Sequence, residues 1–407
     1  MSIGEFRDKF AIVGAAVTPT ARTHAKGYTG LMLEGWAARL AIEDAGLRRE
    51  DIDGAVHTIF GSPHPPAQWD DAYTRVIGLK PNWYMTVARG GQMAHNGILL
   101  ATQALSMGLC KYAIVSAGLP GWSFAHNGSG QAGVGLPFRG GMQHNGLETT
   151  GFRASIGATG THGFLASRHM HEYGTTAEHL GSVAVTARQW ACLNPEARFF
   201  DRPLTMEEYL AAPFLTWPYR KYDYCVHTDM GAAIVLTTAD RARSTRKSPV
   251  YVKGLGLGDQ ARSQIWEHSQ YTQTDGAFAV RTALHEAGVG IRDIDVAELY
   301  DCFTMEPILY MEDYGWCQKG EGGDFIASGA TAPGGSIPMN TYGGLLSGMY
   351  LMDFGGVVEA VRQLRGECAE RQVAGAELAL TNGHGGEMIR PGMCSSHAVM
   401  VLGGSQS

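Results

Sequence analysis

Two stretches decide how this chain reads. One is Val296-Ala-Glu-Leu-Tyr300-Asp301-Cys302-Phe303-Thr304. The other begins forty residues after Tyr300 and runs Asn340-Thr-Tyr342-Gly343-Gly344-Leu-Leu-Ser347-Gly348-Met349-Tyr350. The first reads as a buried strand, Val296 to Leu299, that delivers a polar cluster at its C-terminal end. The second reads as a Gly-rich loop running into a helix. Ligands of open α/β sheets bind outside the carboxyl ends of the strands, so both stretches point at one crevice. Tyr300 and Tyr350, carried there by a strand end and a glycine loop, indicate chemistry.

Working outward, the surrounding pattern is strand then helix, repeated. Around the first stretch lie a strand from Val250 (YVKGLGLG), a helix at Gly276 to Gly288 and a helix at Glu306 to Trp316. After the Gly-rich loop come a helix at Met352 to Leu364 and strands at Glu377 to Leu380 and Ser396 to Leu402. The N-terminal part has the same rhythm. Strands are predicted at Phe10 to Val17, Asp51 to Gly61, Trp83 to Ala88, Tyr112 to Ala117 and Ala232 to Thr238. Helices are predicted at Leu31 to Ala45, closed by Gly46, and at Gly90 to Met107. This alternation predicts βαβ units and a parallel sheet. Two halves of similar order suggest a duplication, 1–245 and 246–407. The stretch from Gly118 to Gly160 breaks the rhythm and is expected to be an irregular lid or binding loop. It opens an inserted region of about 118–220 that also holds helices at Phe164 to Tyr173 and Thr176 to Leu193.

Bulk properties narrow the function. At 407 residues the chain fits one large or two fused α/β units. Its 55 glycines imply many close backbone approaches. A net charge of −7 without a basic run argues against nucleic acid and an anionic membrane surface. The seven cysteines form no CxxC pair, which fits reduced thiols in a cytoplasmic protein. No run reaches the length of about 18 to 20 apolar residues needed to span a membrane. His126, His144, His169 and His171 have no metal-ligand spacing, and no metal is expected in this chain.

Tyr-Asp-Cys-Phe-Thr, Asn-Thr-x-Gly-Gly-Leu-Leu-Ser and Asp229-Met-Gly231-Ala-Ala resemble the thiolase superfamily. Within it, the chain is most similar to the sterol-carrier-protein thiolases and the steroid-degrading lipid-transfer proteins. Further matches are Arg168-His-Met-His-Glu-Tyr-Gly174, Asn194-Pro195, Arg202-Pro203-Leu-Thr205 and His227-Thr-Asp229. The resemblance implies duplicated βαβαβ halves in a five-layer α-β-α-β-α thiolase fold.

It also marks departures. A working thiolase has a cysteine nucleophile at the start of the helix that here begins Arg89-Gly90-Gly91-Gln92-Met93-Ala94; the matching position is about Gln92. The family's His-Asp-Cys-Phe histidine is Tyr300 here, and its Gly-His-Pro histidine falls on Tyr350. Its C-terminal Cys-x-Gly corresponds to about Asn382-Gly383-His384. Acyl transfer needs a thiolate, and Gln92 supplies none. What remains is enolate chemistry at a thioester, which needs oxyanion stabilisation and a proton shuttle.

Tyrosines at both positions resemble the steroid side-chain aldolases. That resemblance implies retro-aldol cleavage of a β-hydroxyacyl-CoA to a 17-keto steroid and propionyl- or acetyl-CoA. Tyr300, Tyr350 and His384, read as flanked by glycines in a turn, are the expected catalytic residues. Gln92, Asp301, Cys302, Tyr342, Gly343, Gly344, Asn382 and Gly385 are expected to line the substrate. Two alternatives stay open: an acyltransferase with a displaced nucleophile, and a non-catalytic thiolase-like subunit. The resemblance further implies self-association and a small OB-fold, zinc-ribbon partner in a heterotetramer. Zinc is expected only in that partner, and CoA only as part of the substrate.

Overall fold

The computed structural model describes residues 6–58, 76–87, 90–126, 151–258, 272–385 and 396–404, without the side chains of 124–126, 151–158 and 161. Nine strands form its main sheet: β1 (Phe10–Val17), β2 (Gly54–Thr58), β3 (Trp83–Val87), β4 (Tyr112–Pro120), β5 (Asp229–Thr238), β6 (Val250–Gly258), β7 (Val296–Glu298), β8 (Leu378–Gly385) and β9 (Ser396–Gly403). Their order is β3-β2-β4-β5-β1-β6-β9-β8-β7. The apolar run FAIVGAAV is buried along its whole length, as a strand in the middle of that order must be. Only two residue pairs, Ala11 with Tyr251 and Ile12 with Val250, join β1 to β6 and so the first five strands to the last four.

The helices sort into layers. α1 (Gly30–Ala45) packs on β1, β4 and β5, and α5 (Gly276–Ala287) packs on β6 and β9. Between the half-sheets lie α2 (Met93–Ser106) and α7 (Phe354–Leu364), each touching strands of both. The result is the expected α-β-α-β-α stack. Three further helices used below are α3 (Gly151–Tyr173), α4 (Ala177–Cys192) and α6 (Met305–Asp313).

The outer helix of each half rides on glycines, which explains much of the glycine excess. A Cβ at Gly118 would stand 1.8 Å from Gly30 O, and one at Gly254 would stand 2.1 Å from Ala283 O. Ala279, Ala283 and Ala287, spaced four apart on one face of α5, bring that helix down onto β6.

Two expectations change. The sheet is mixed, not parallel: β2 runs parallel to β3 and β4, and β8 to β7, while the other pairs are antiparallel. Between β8 and β9 stand residues 386–395, fewer than the dozen or more a parallel crossover needs, so the strands pair antiparallel. The stretch 118–160 is not irregular throughout. Its start extends β4 to Pro120, Gly121–His126 is helical, and α3 begins at Gly151. The rest of that expected lid, 127–150, lies outside the described residues.

Candidate active site

β7 stops at Glu298 because its last backbone donors are claimed from elsewhere. Leu299 N donates to Asn340 Oδ1 (2.6 Å) and Tyr300 N to Asn382 Oδ1 (2.6 Å). The Gly-rich loop is then clamped from below. Asp301 accepts from the amides of Leu345 (2.7 Å) and Leu346 (3.4 Å). Gly344 has φ +60, and a Cβ there would sit 2.1 Å from Asp301 Oδ2, so glycine is required twice over. Gly344–Gly348 forms one wide helical turn, Met349 after it is extended, and Tyr350 follows, with Tyr350 N donating to Thr228 Oγ1 (3.0 Å). Tyr350 is therefore not at a helix start; α7 begins four residues later.

The two phenols converge on one atom. Tyr300 Oη lies 3.6 Å and Tyr350 Oη 3.4 Å from Met352 Sδ, so the hydroxyls are separated by at most the sum of those distances. Met352 holds φ +50, an unusual conformation for a non-glycine residue, and its thioether is within reach of both hydroxyls. Tyr300 is buried and Tyr350 half-buried.

His384 meets Tyr300 from the other side, ring edge to face, with centroids 4.9 Å apart. It does not lie in a turn: β8 runs on through Gly385, so Asn382, His384 and Gly385 are strand residues. Extending the strand positions His384 with the certainty of a sheet register instead of a loop. Its Nδ1 is hydrogen-bonded to Tyr310 Oη at 2.6 Å. Across from it, Gly91 bridges His384 through the backbone. Gln92, the N-cap residue of α2, is buried and donates through Nε2 to Ser396 Oγ. A Cβ on Gly91 would meet His384 O at 2.2 Å and the Tyr300 ring at 2.4 Å. Gly91→Ala is thus expected to displace both rings, lowering kcat and destabilising the fold by about 1–3 kcal/mol; steady-state rates and thermal melts measure both.

Comparison with known proteins supplies the context for this geometry. The thiolase C-terminal domain-like family model matches residues 259–404. A steroid side-chain-cleaving aldolase of Thermomonospora curvata is 31% identical over 392 residues, 92% of this chain and 95% of that protein. The chain belongs to the steroid side-chain-cleaving aldolases of the thiolase superfamily. A second member, the 17-hydroxy-3-oxo-4-pregnene-20-carboxyl-CoA lyase of Mycobacterium tuberculosis, is 30% identical over 91% of this chain and 95% of its own. Among solved structures, an Ltp2–ChsH2(DUF35) aldolase superposes with a TM-score of 0.81 at 28% identity, covering 98% of each chain.

Within this aldolase-family site, several side chains predicted to line the substrate are bonded to the scaffold. Asp301 is fully buried, and burial pushes its carboxyl up to about 8 against the pull of the Leu345 and Leu346 amides. Asn382 holds Tyr300 N and donates through Nδ2 to Tyr314 Oη (2.6 Å). Tyr342 is buried, and burial drives its phenol well above the usual range. These three position the loops. Gly343, at φ +97, makes the turn that opens the Gly-rich segment.

The sequence did not single out Met352, Tyr310, His162 or Glu306. His162 Nδ1 is paired with Glu306, and the His162 ring lies 5.5 Å from His384. His397 stacks on His384 at 5.4 Å; its sequence neighbour Cys394 lies outside the described residues. Donor atoms of His162, Cys302 and His384 all lie within 4.8 Å of one another. The six described cysteines form no disulfide. Among the described residues no helix is long and apolar enough to cross a membrane. A 390 Å³ cavity lined by Gln189, Cys192, Leu193, Pro203, Leu204 and Pro333 contains none of the tyrosine–histidine group.

Proposed function

We propose that this chain is a carbon–carbon lyase that cleaves a steroid acyl-CoA bearing a hydroxyl β to the thioester carbonyl. One phenol of the Tyr300–Tyr350 pair, acting in its deprotonated form, takes the hydroxyl proton and becomes neutral. The bond between the carbinol carbon and the thioester α-carbon breaks, and its electron pair becomes the CoA enolate. The carbinol carbon leaves as a ring ketone. The second phenol, backed by His384, returns a proton to the α-carbon and yields propionyl- or acetyl-CoA. Proton transfer by positioned groups of this kind contributes about 10²–10⁴-fold. No oxidant or covalent acyl intermediate is needed.

The observation that carries this reading is the convergence of both phenols on Met352 with His384 against Tyr300. Gln92, at the thiolase nucleophile's position, is an amide in a buried hydrogen bond and cannot be acylated. Support for the substrate class comes from the two relatives whose names specify steroid side-chain cleavage and a pregnene carboxyl-CoA lyase. The solved aldolase is named as an Ltp2–ChsH2(DUF35) pair, which supports a partner subunit for this chain; we propose that the partner is a small OB-fold, zinc-ribbon protein and that the thiolase core self-associates to give a heterotetramer. Zinc would then reside structurally in that partner.

The test is turnover of steroid β-hydroxyacyl-CoA thioesters by the chain with its partner. Ketone and short acyl-CoA should appear in equal amounts, while the intact mass of the protein stays constant. A stable acyl adduct, on Cys302 above all, would move the assignment to acyl transfer.

A further inference from the structure

We propose that His162, Cys302 and His384 bind one zinc-class divalent cation within the candidate site. All three are buried, and their donor atoms lie within 4.8 Å of one another. They reach this point from three separate segments: α3, the turn after β7, and β8. A thiolate with two imidazoles is a soft to borderline donor set that suits zinc or cobalt and not magnesium or calcium. Zinc sits about 2.0–2.1 Å from nitrogen and about 2.3 Å from sulfur, so donors of a filled tetrahedral site stand roughly 3.5 Å apart. Closing this cluster therefore takes side-chain adjustments of about an ångström. Three protein donors leave the fourth position open, as in catalytic zinc sites.

The surroundings match a metal centre in a second way. Nδ1 of His162 is paired with Glu306, whose other oxygen accepts from Phe303 N (2.8 Å). Nδ1 of His384 is hydrogen-bonded to Tyr310 Oη. A carboxylate or other polar partner on one ring nitrogen is what orients an imidazole that coordinates through the other. Ring packing alone, His162 on Phe303 and His384 on His397, calls for neither the carboxylate beside His162 nor the thiol within 4.8 Å of both imidazoles. On binding, the Cys302 S–H bond gives its proton to solvent and the sulfur lone pair goes to the ion. An ion held there engages His384 and withdraws it from proton transfer beside Tyr300, so the same metal inhibits cleavage. The inhibition rests on the lyase reading; the binding does not.

The experiment uses the full chain with its partner, treated with chelator and dialysed against Zn²⁺ for metal analysis, then against Co²⁺ as a spectroscopic probe. Because the partner is expected to carry zinc of its own, the same titration of the complex bearing Cys302→Ser is the baseline. One additional ion per chain and added thiolate-to-cobalt charge-transfer intensity are expected in the parent over the Cys302→Ser baseline, which carries only the partner's own metal. His162→Ala should lose the added intensity as well. Glu306→Gln should keep it and weaken binding about 10–100-fold, which a purely structural role would not produce. Cys192→Ser, in the separate cavity, should bind as the parent does. No additional ion, or a cobalt spectrum of the parent no different from that of the Cys302→Ser complex, overturns the proposal. If His162→Ala does not fold, the near-isosteric Cys302→Ser decides. Cleavage is assayed separately: absence of activity in the metal-free complex sinks the lyase reading and leaves the ion-binding result standing.

Discussion

Tyr300→Phe lowers kcat by about 10²–10⁴-fold with little change in KM, the loss expected when a positioned proton-transfer group is removed. Tyr350→Phe does the same. The phenol–thioether contacts with Met352, at 3.6 and 3.4 Å, are weak, and thermal melts of both variants separate any loss of stability from the loss of turnover. Substrate grip is unaffected because the aromatic ring remains. The double variant should lose little more than the worse single one, since the two phenols serve one proton relay and their effects do not add. Parent-like turnover in the double variant would make this chain a binding subunit, not the lyase. The measurement is steady-state cleavage of a β-hydroxyacyl-CoA, with circular dichroism as the folding control.

The second large effect is on stability, beneath the site. Arg371 Nε donates to Glu359 Oε1 (2.7 Å) and Nη2 to Oε2 (3.1 Å), with all these groups buried. Thr341 Oγ1 lies between Glu298 (2.7 Å) and Glu359 (2.9 Å), tying the last residue of β7 to α7. Burial pushes Glu359 up, but Arg371 outweighs it and holds that carboxyl below its ordinary 4.5. Burial, and then the Glu359 charge, push Glu298 well above the same value. Arg371→Met leaves Glu359 buried beside a second carboxyl with only the charge of Arg362, itself paired with Glu196, against it, and is expected to cost about 3–5 kcal/mol.

The pH dependence has a definite sign. A lowered folded pKa contributes stability above the unfolded value and loses it as pH falls. Glu359 therefore stabilises the parent at neutral pH, and this contribution fades on acidification through 4.5 and below. Glu298, raised, works the other way and weakens the fold as pH climbs past the ordinary carboxylate range. In Arg371→Met both carboxyls become raised, so the deficit should be largest near neutrality and shrink toward pH 4. Thermal midpoints of parent and variant across that range test this; a deficit constant with pH would contradict it.

Local pattern carried a good deal of this molecule. FAIVGAAV had to be a central strand, since eight residues without a polar side chain have nowhere else to go. Gly46 closes α1 in the left-handed conformation, as a C-capping glycine should. Tyr300 and Tyr350 could be singled out because they stand where the resembled family carries catalytic histidines, and His384 because glycines flank it; the structure brings the three together. The turn expected around His384 was wrong for a local reason: Asn, Gly and His are poor strand formers, and pairing with β9 overrides that preference.

What the sequence by itself determined is the set of elements, their order in the chain and the chemistry available at the ends of β7 and of the Gly-rich loop. Tertiary structure alone decided strand direction and the company His384 keeps. His162, Tyr310, Met352 and His397 come from four distant segments, and no spacing in a linear chain encodes which of them meet. Their meeting is set by where two half-sheets stack on α2 and α7, a packing solution that depends on every buried residue at once.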